Sequence, residues 1–291
     1  MSNISSQIIK NHKRVTPRKY RISNNAGLTV YFSNYGARIT LVKYKGQELA
    51  RNGYISGRCA NRIKGGIFTL NGNTYQLDQN EGENHLHGGY LGFSKKFWQV
   101  QEYNDDSITF YLRSPDGDMG YPGNLDITVT YTLFSDGKLL IEYHATCDQD
   151  TILNPINHLF LKYHENDELF IDANTYTEKD SNNLPTGNIL PLAYTIYDFS
   201  KPKSLKQEMN YDINYVLNNN QYRKVACLNS SDTCIEVYTD RPGLQLYKSK
   251  KHLCLEAQNF PDAIHFDNFP SPILKKDAAF YSKTAYHFET K

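Results

Sequence analysis

In the segment LDITVTYTL, Leu125, Ile127, Val129, Tyr131 and Leu133 alternate with Asp126, Thr128, Thr130 and Thr132. Strand side chains point to opposite faces in turn, so this period of two predicts a strand with one apolar face and one hydroxyl-rich face turned to water or a polar cleft. Short β-rich runs recur along the chain: GLTVYF, GIFTL, NTYQL, SITFYLR, KLLIEYHAT and CIEVYTD. Few stretches show a period of 3.6. Asn71-Gly72 and Asp136-Gly137 fall between alternating runs, where such dipeptides connect hairpins. No repeat of fixed period, low-complexity tract or long linker divides the chain. The pattern predicts an all-β fold, one large antiparallel β-sandwich domain over residues 1–291, with function on its long loops. The loop candidates are NRIKGG, NEGENHLHGGYLGFSKKFWQV, SPDGDMGYPGN and the polar segment from Asn182 to Asn220. None of the glycine-rich stretches precedes a helical pattern, as a phosphate-binding loop requires.

Composition narrows the partners. Aromatic residues make up 13% of the 291 residues, with 23 Tyr against one Trp, so amphipathic rings are available to line a polar cleft, which suits a sugar-like ligand. The formal net charge is +1, from 32 Lys+Arg and 31 Asp+Glu, with no long run of one sign, which argues against nucleic acid and anionic membrane as partners. Cys59, Cys147, Cys227, Cys234 and Cys254 form an odd set without the spacing of a disulfide framework or a structural zinc site. A reducing compartment fits that usage. The first twenty residues lack the apolar stretch of a signal peptide, and no later segment reads as a membrane span. The expectation is a soluble cytoplasmic protein, and the sequence carries no signal for oligomeric state.

Three stretches place titratable groups among apolar residues. In LCLEAQ, Glu256 shares a strand face with Cys254 and Gln258 while Leu253, Leu255 and Ala257 take the other. A buried carboxylate must be hydrogen-bonded, protonated or used, and taken singly it reads as a structural acid satisfied by backbone or a cation. In ILNPINHLFLKYH, His158 falls on the face of Ile156 and Phe160, and alone it reads as a structural histidine. In ENHLHGG, His85 and His87 point the same way if the segment is extended, a pairing that can hold a metal as in cupins. The cupin pattern also needs a glutamate shortly downstream, and GGYLGF supplies none.

Seven segments in order, GRCANRIKGGIFTLNGNTYQL, NHLHGGYLGFSKKFW, GDMGYPGNLDITVTYTL, LNPINHLFL, NYDINYVL, RPGLQLY and CLEAQNFPDAIHFDNFP, resemble the aldose 1-epimerase (galactose mutarotase) family. They reach from Gly57 to Pro270, and NYGARITLV, beginning at Asn34, extends the likeness upstream. The resemblance implies the galactose mutarotase-like supersandwich, an isomerase acting on a free hexose such as galactose or glucose, and no cofactor or metal. It implies His158 as general acid, Glu256 as general base, and Arg62, His87, Asp212 and Gln245 as the residues that bind the sugar. His85 receives no role from it.

Interconverting anomers needs two proton transfers: one from the anomeric hydroxyl to a base, one from an acid to the ring oxygen. One carboxylate and one imidazole suffice, whereas a glycosidase usually carries two carboxylates. The expected starting state has Glu256 ionised and His158 protonated, each favoured by the charge of the other. A hexose 6-phosphate substrate would need a cationic pocket, for which Arg62 is one candidate, and a non-catalytic sugar-binding or regulatory role would need no matched acid and base. The connection KYKGQELARNGYIS between NYGARITLV and GRCANRI is shorter than is usual for the family, so it is expected to alter one wall of the sugar site.

Overall fold

The segment Leu125–Leu133 is a strand whose burial alternates residue by residue, as its sequence predicts. In this computed structural model, which describes residues 16–164, 166–206, 208–249 and 252–291, ten strands form one sheet and nine form a second. The ladders are antiparallel, as in the pairing of Leu125–Leu133 with both of its neighbours. The two sheets face each other across a shared apolar core. Phe32 of the first sheet lies 5.1 Å from the Tyr131 ring of the second and 6.4 Å from Phe110. All five cysteines are free and buried, and no helix among the described residues is long and apolar enough to cross a membrane.

Both glycine-containing dipeptides do connect hairpins, in different ways. Leu70 pairs with Asn73 across a two-residue turn in which Asn71 and Gly72 both have positive φ, 51° and 77°. The second connection is one residue longer: the Phe134 amide donates to the Lys138 carbonyl, and Gly137 closes the loop at φ 91°. That is the three-residue form, in which glycine takes the left-handed position. The short connection ahead of Gly57 is also a hairpin, Arg38–Tyr44 with Gln47–Ser56, turned at Lys45 and Gly46 with φ 47° and 84°.

One expectation needs correction. The polar segment from Asn182 to Asn220 is not a loop, since it contains the strands Pro185–Pro191, Lys203–Ser204 and Tyr211–Leu217. Tyr211, Ile213, Tyr215 and Leu217 alternate onto the core side, and that burial outweighs the polar composition around them.

The five neighbouring strands Gln47–Ser56, Ile156–Leu161, Leu253–Gln258, Gly243–Lys248 and Tyr211–Leu217 form the middle of the ten-stranded sheet. Leu253 and Leu255 belong to the core between the sheets, so Glu256 points away from it. Two tyrosines of the second sheet reach across the core to groups beside these strands' candidate residues. Tyr286 Oη donates to the Leu255 carbonyl at 2.9 Å. Tyr131 Oη donates to the Ala37 carbonyl at 2.6 Å and accepts from Asn157 Nδ2 at 3.2 Å. The bonds to Leu255 and to Asn157 each fall one residue away from a candidate catalytic side chain.

Arg58 fixes the outer loops. Its guanidinium is 1% exposed and donates to the carbonyls of Ser114, Pro115, Pro122 and Gly123 at 2.7–3.0 Å, and to the hydroxyls of Ser114 and Thr151. The segment SPDGDMGYPG is thereby wrapped around one buried cation. Burial lowers the Arg58 pKa, and that desolvation is offset by six hydrogen bonds.

Candidate active site

A cleft of about 330 Å³ lies on the face of the ten-stranded sheet that is turned away from the core. Arg62, His87, His158, Asp212, Gln245 and Glu256 all line it. A larger cleft of about 590 Å³ lies beside Lys64 and Asp180, but no imidazole is among the described residues that line it.

The strand register explains the convergence. Gln245 sits directly opposite Glu256, and Asn214 opposite Gln245. His158 pairs with Tyr54 on its other side. His158 Nε2 lies 3.4 Å from Glu256 Oε1, and the two residues are 7% and 2% exposed. On the far side of the ring, His158 Nδ1 is hydrogen-bonded to the Cys254 thiol at 3.4 Å. Burial holds that thiol well above its ordinary pKa, so it stays protonated; with Nδ1–H turned to the sulfur, the Nε2 lone pair faces Glu256 and can take its proton. Tyr54 stacks on the His158 ring with centroids 5.0 Å apart.

The sugar-facing polar groups form one chain. Arg62 holds Glu81 in a bidentate pair at 2.7 and 2.8 Å and lies 3.5 Å from Asp212. Asp212 accepts from Gln245 Nε2 at 2.6 Å, and Gln245 Oε1 accepts from Gln258 at 3.0 Å. The Asn61 amide donates to His87 Nδ1 at 3.2 Å, which leaves Nε2–H of His87 to face the cleft.

His85 and His87 do not point the same way. His87 has φ 53°, so the extended alternation breaks there. His85 turns instead to Tyr121 Oη at 2.7 Å and to the Asp78 carbonyl at 2.7 Å, behind the cleft wall. A metal site built on that pair is therefore not formed. The donors of His158, Cys254 and Glu256 do lie within 4.8 Å of one another, but a thiol held protonated by burial is a poor metal ligand.

Charge states differ from the sequence expectation. Burial lowers the His158 pKa to about 4, and burial, with Asp212 adding to it, pushes Glu256 well above the ordinary carboxylate range. The resting pair without sugar therefore favours the uncharged form, a protonated carboxyl beside a neutral imidazole, because desolvation outweighs the mutual attraction on which an ion pair depends. His87 is likewise driven down to about 3, by burial first and then by the neighbouring cations.

These shifts carry a sign for stability. An unfolded histidine binds its proton near pH 6.5, whereas His158 and His87 in the fold resist it until about 4 and about 3. The unfolded chain therefore holds more protons in that window, and stability is lost as pH falls from about 6.5 toward those values. Urea midpoints measured from pH 7 to pH 4.5 are expected to fall, and to fall less steeply in a variant carrying both His87→Asn and His158→Asn. An unchanged slope in that variant would contradict the assignment.

The tyrosine ties also give a testable consequence. Tyr286→Phe removes the bond to the Leu255 carbonyl and nothing else from the cleft, so it is expected to cost about 1 kcal/mol of stability. Because Leu255 precedes Glu256, turnover should drop several-fold with little change in KM; turnover equal to wild type would show that the tie does not position the carboxylate.

Sequence reasoning missed Glu81, Tyr54, Asn61 and Cys254. Tyr54 comes from the short hairpin ahead of Gly57, so that connection supplies a wall of the cleft.

Comparison with known proteins agrees with the geometry. A family model described as aldose 1-epimerase matches residues 18–287. The chain is 35% identical over 269 residues to galactose mutarotase from Mus musculus, covering 81% of this chain and 78% of that one. It is 30% identical over 329 residues to aldose 1-epimerase from Escherichia coli K12, covering 93% and 95%. Among solved structures, an aldose epimerase homologue from C. elegans superposes with a TM-score of 0.89 at 26% identity, covering 94% of this chain and 99% of that one.

Proposed function

The chain belongs to the aldose 1-epimerase family, and on that premise we propose that it interconverts the α and β anomers of a free aldohexose such as galactose or glucose by general acid–base ring opening. The observation that carries the reading is the contact of His158 Nε2 with Glu256 Oε1 at 3.4 Å, within a cleft whose volume suits one sugar ring.

The pair carries one proton in either of its arrangements. When sugar hydroxyls reach the cleft they hydrogen-bond the carboxylate and favour its charged form, so the proton shifts to His158. Glu256 then takes the proton of the anomeric hydroxyl as His158 gives its own to the ring oxygen. The C1–O5 bond breaks, the electron pair of the anomeric O–H becomes the aldehyde carbonyl, and rotation about C1–C2 turns the other carbonyl face toward the ring oxygen. Closure reverses both transfers with the roles exchanged. Arg62, His87, Asp212 and Gln245 hold the remaining hydroxyls, which fixes the ring against the pair.

A free sugar fits better than a hexose phosphate. Arg62 is the only Lys or Arg among the described residues that line the cleft, and it is already engaged by Glu81 and Asp212. A phosphate would meet two carboxylates beside that single cation. Polarimetry of freshly dissolved α-galactose and α-glucose tests the proposal. Acceleration well above the spontaneous rate is expected on at least one of them. No acceleration on either, with acceleration on hexose 6-phosphates, would replace this reading with the phosphate one.

A further inference from the structure

The outer face of the nine-stranded sheet, on the opposite side of the sandwich from the cleft, carries a second cluster of reactive groups. Three adjacent strands, Arg223–Asn229, Thr233–Thr239 and Ala279–Thr290, contribute to it. Leu228, Ile235, Val237, Tyr286 and Phe288 point into the core, so Cys227, Cys234, Glu236 and His287 share the other face. The register places Cys227 opposite Glu236 and Glu236 opposite His287. The Cys227 and Cys234 sulfurs are 3.0 Å apart, and both thiols lie with Glu236 inside a 4.8 Å sphere of donor atoms.

We propose that Cys227, Cys234, Glu236 and His287 form a binding site for a thiophilic divalent cation of the zinc type.

His287 and Glu236 are prepared for that role. His287 Nε2 is bonded to the Asp136 carbonyl at 2.8 Å; Nε2–H therefore donates, and Nδ1 faces Glu236 Oε2 at 3.4 Å and Glu289 Oε1 at 3.7 Å. A backbone carbonyl on the other ring nitrogen is the usual outer partner of a metal-bound histidine, and a metal at Nδ1 would take the place of a proton shared with these carboxylates. Glu236 is oriented by Lys224 on Oε1 at 2.8 Å and by the Tyr238 hydroxyl on Oε2 at 2.6 Å.

A disulfide is the competing use of two close thiols, and the register disfavours it. Cys227 and Cys234 are diagonal rather than opposite, and diagonal strand neighbours typically lie about 7–8 Å apart, at the upper limit of ordinary disulfide geometry. A zinc ion at about 2.3 Å from each sulfur instead holds the two roughly 3.8 Å apart, which needs only side-chain rotation. Binding converts two thiols to thiolates and releases their protons to the buffer.

The test titrates the full chain, reduced with a phosphine, with Zn2+ and with Co2+. One zinc per chain, release of about two protons and a thiolate-to-cobalt charge-transfer band are expected. Cys227→Ser and Cys234→Ser should each weaken zinc binding by more than about 100-fold, beyond the effect of losing an outer partner. Zinc should also shield both cysteines of the wild type from alkylation, a readout that needs no variant. Absence of a one-to-one zinc complex, zinc binding that survives both serine variants, or a Cys227–Cys234 disulfide in a chain that binds no zinc once reduced, would each overturn the proposal.

Discussion

Glu256→Gln is expected to lower the rate of catalysed anomer exchange by about 10²–10⁴-fold, the range for a positioned acid or base, while the dissociation constant of the sugar changes little. Glutamine keeps the shape of the side chain and removes its ability to take a proton. Its surroundings tolerate the change, because burial already favours an uncharged group at this position, so the fold should persist and even gain a little stability at neutral pH. The sign follows from the raised pKa: stability contributed by a protonated Glu256 is lost as pH rises through its folded value, and an amide avoids that loss. A large fall in turnover with intact folding separates a catalytic carboxylate from a structural one. Turnover within about threefold of wild type, well short of that range, would remove Glu256 from the mechanism.

The second large effect concerns folding. Arg58→Met leaves the Ser114, Pro115, Pro122 and Gly123 carbonyls without their shared donor. Each orphaned buried group costs about 1–3 kcal/mol, so a loss of about 2–6 kcal/mol follows even if two of the four find water. Against the 5–15 kcal/mol by which domains of this kind are stable, that is severe. The damage should spread to the cleft, because the same loop carries Tyr121, which holds His85 at 2.7 Å and so buttresses the segment bearing His87. Denaturant unfolding is the check, and a midpoint shifted by less than about 1 kcal/mol would show that the loop does not depend on this cation.

Arg58 and Arg62 illustrate what was legible in the sequence. Both stand in GRCANRI, and nothing in the spacing says that one is surrounded by carbonyls and the other faces a sugar. The family resemblance selected Arg62, and Arg62 lines the cleft with five other residues named from the same motifs. Strands such as Leu125–Leu133 were legible where one face is dry and the flanks are strand-like, because burial imposes the period of two. Tyr211–Leu217 has that period as well, yet its polar flanks read as loop. Glu81, Tyr54 and Cys254 were hidden for another reason: each matters through a contact with a residue distant in sequence, Arg62 or His158. The charge state of the pair was hidden too, since it is set by how deeply the sheet buries both groups.

Exchange NMR on equilibrated 1-13C-galactose tests the central claim most directly, since it reports passage between anomers with no net reaction and no coupling enzyme. With the wild-type protein at neutral pH, cross-peaks between the α and β C1 resonances are predicted at a rate far above the buffer alone, and they should vanish in a Glu256→Gln, His158→Asn double variant that still folds. Equal exchange in the double variant and the wild type would contradict the account, because the two proton transfers would then belong to other groups.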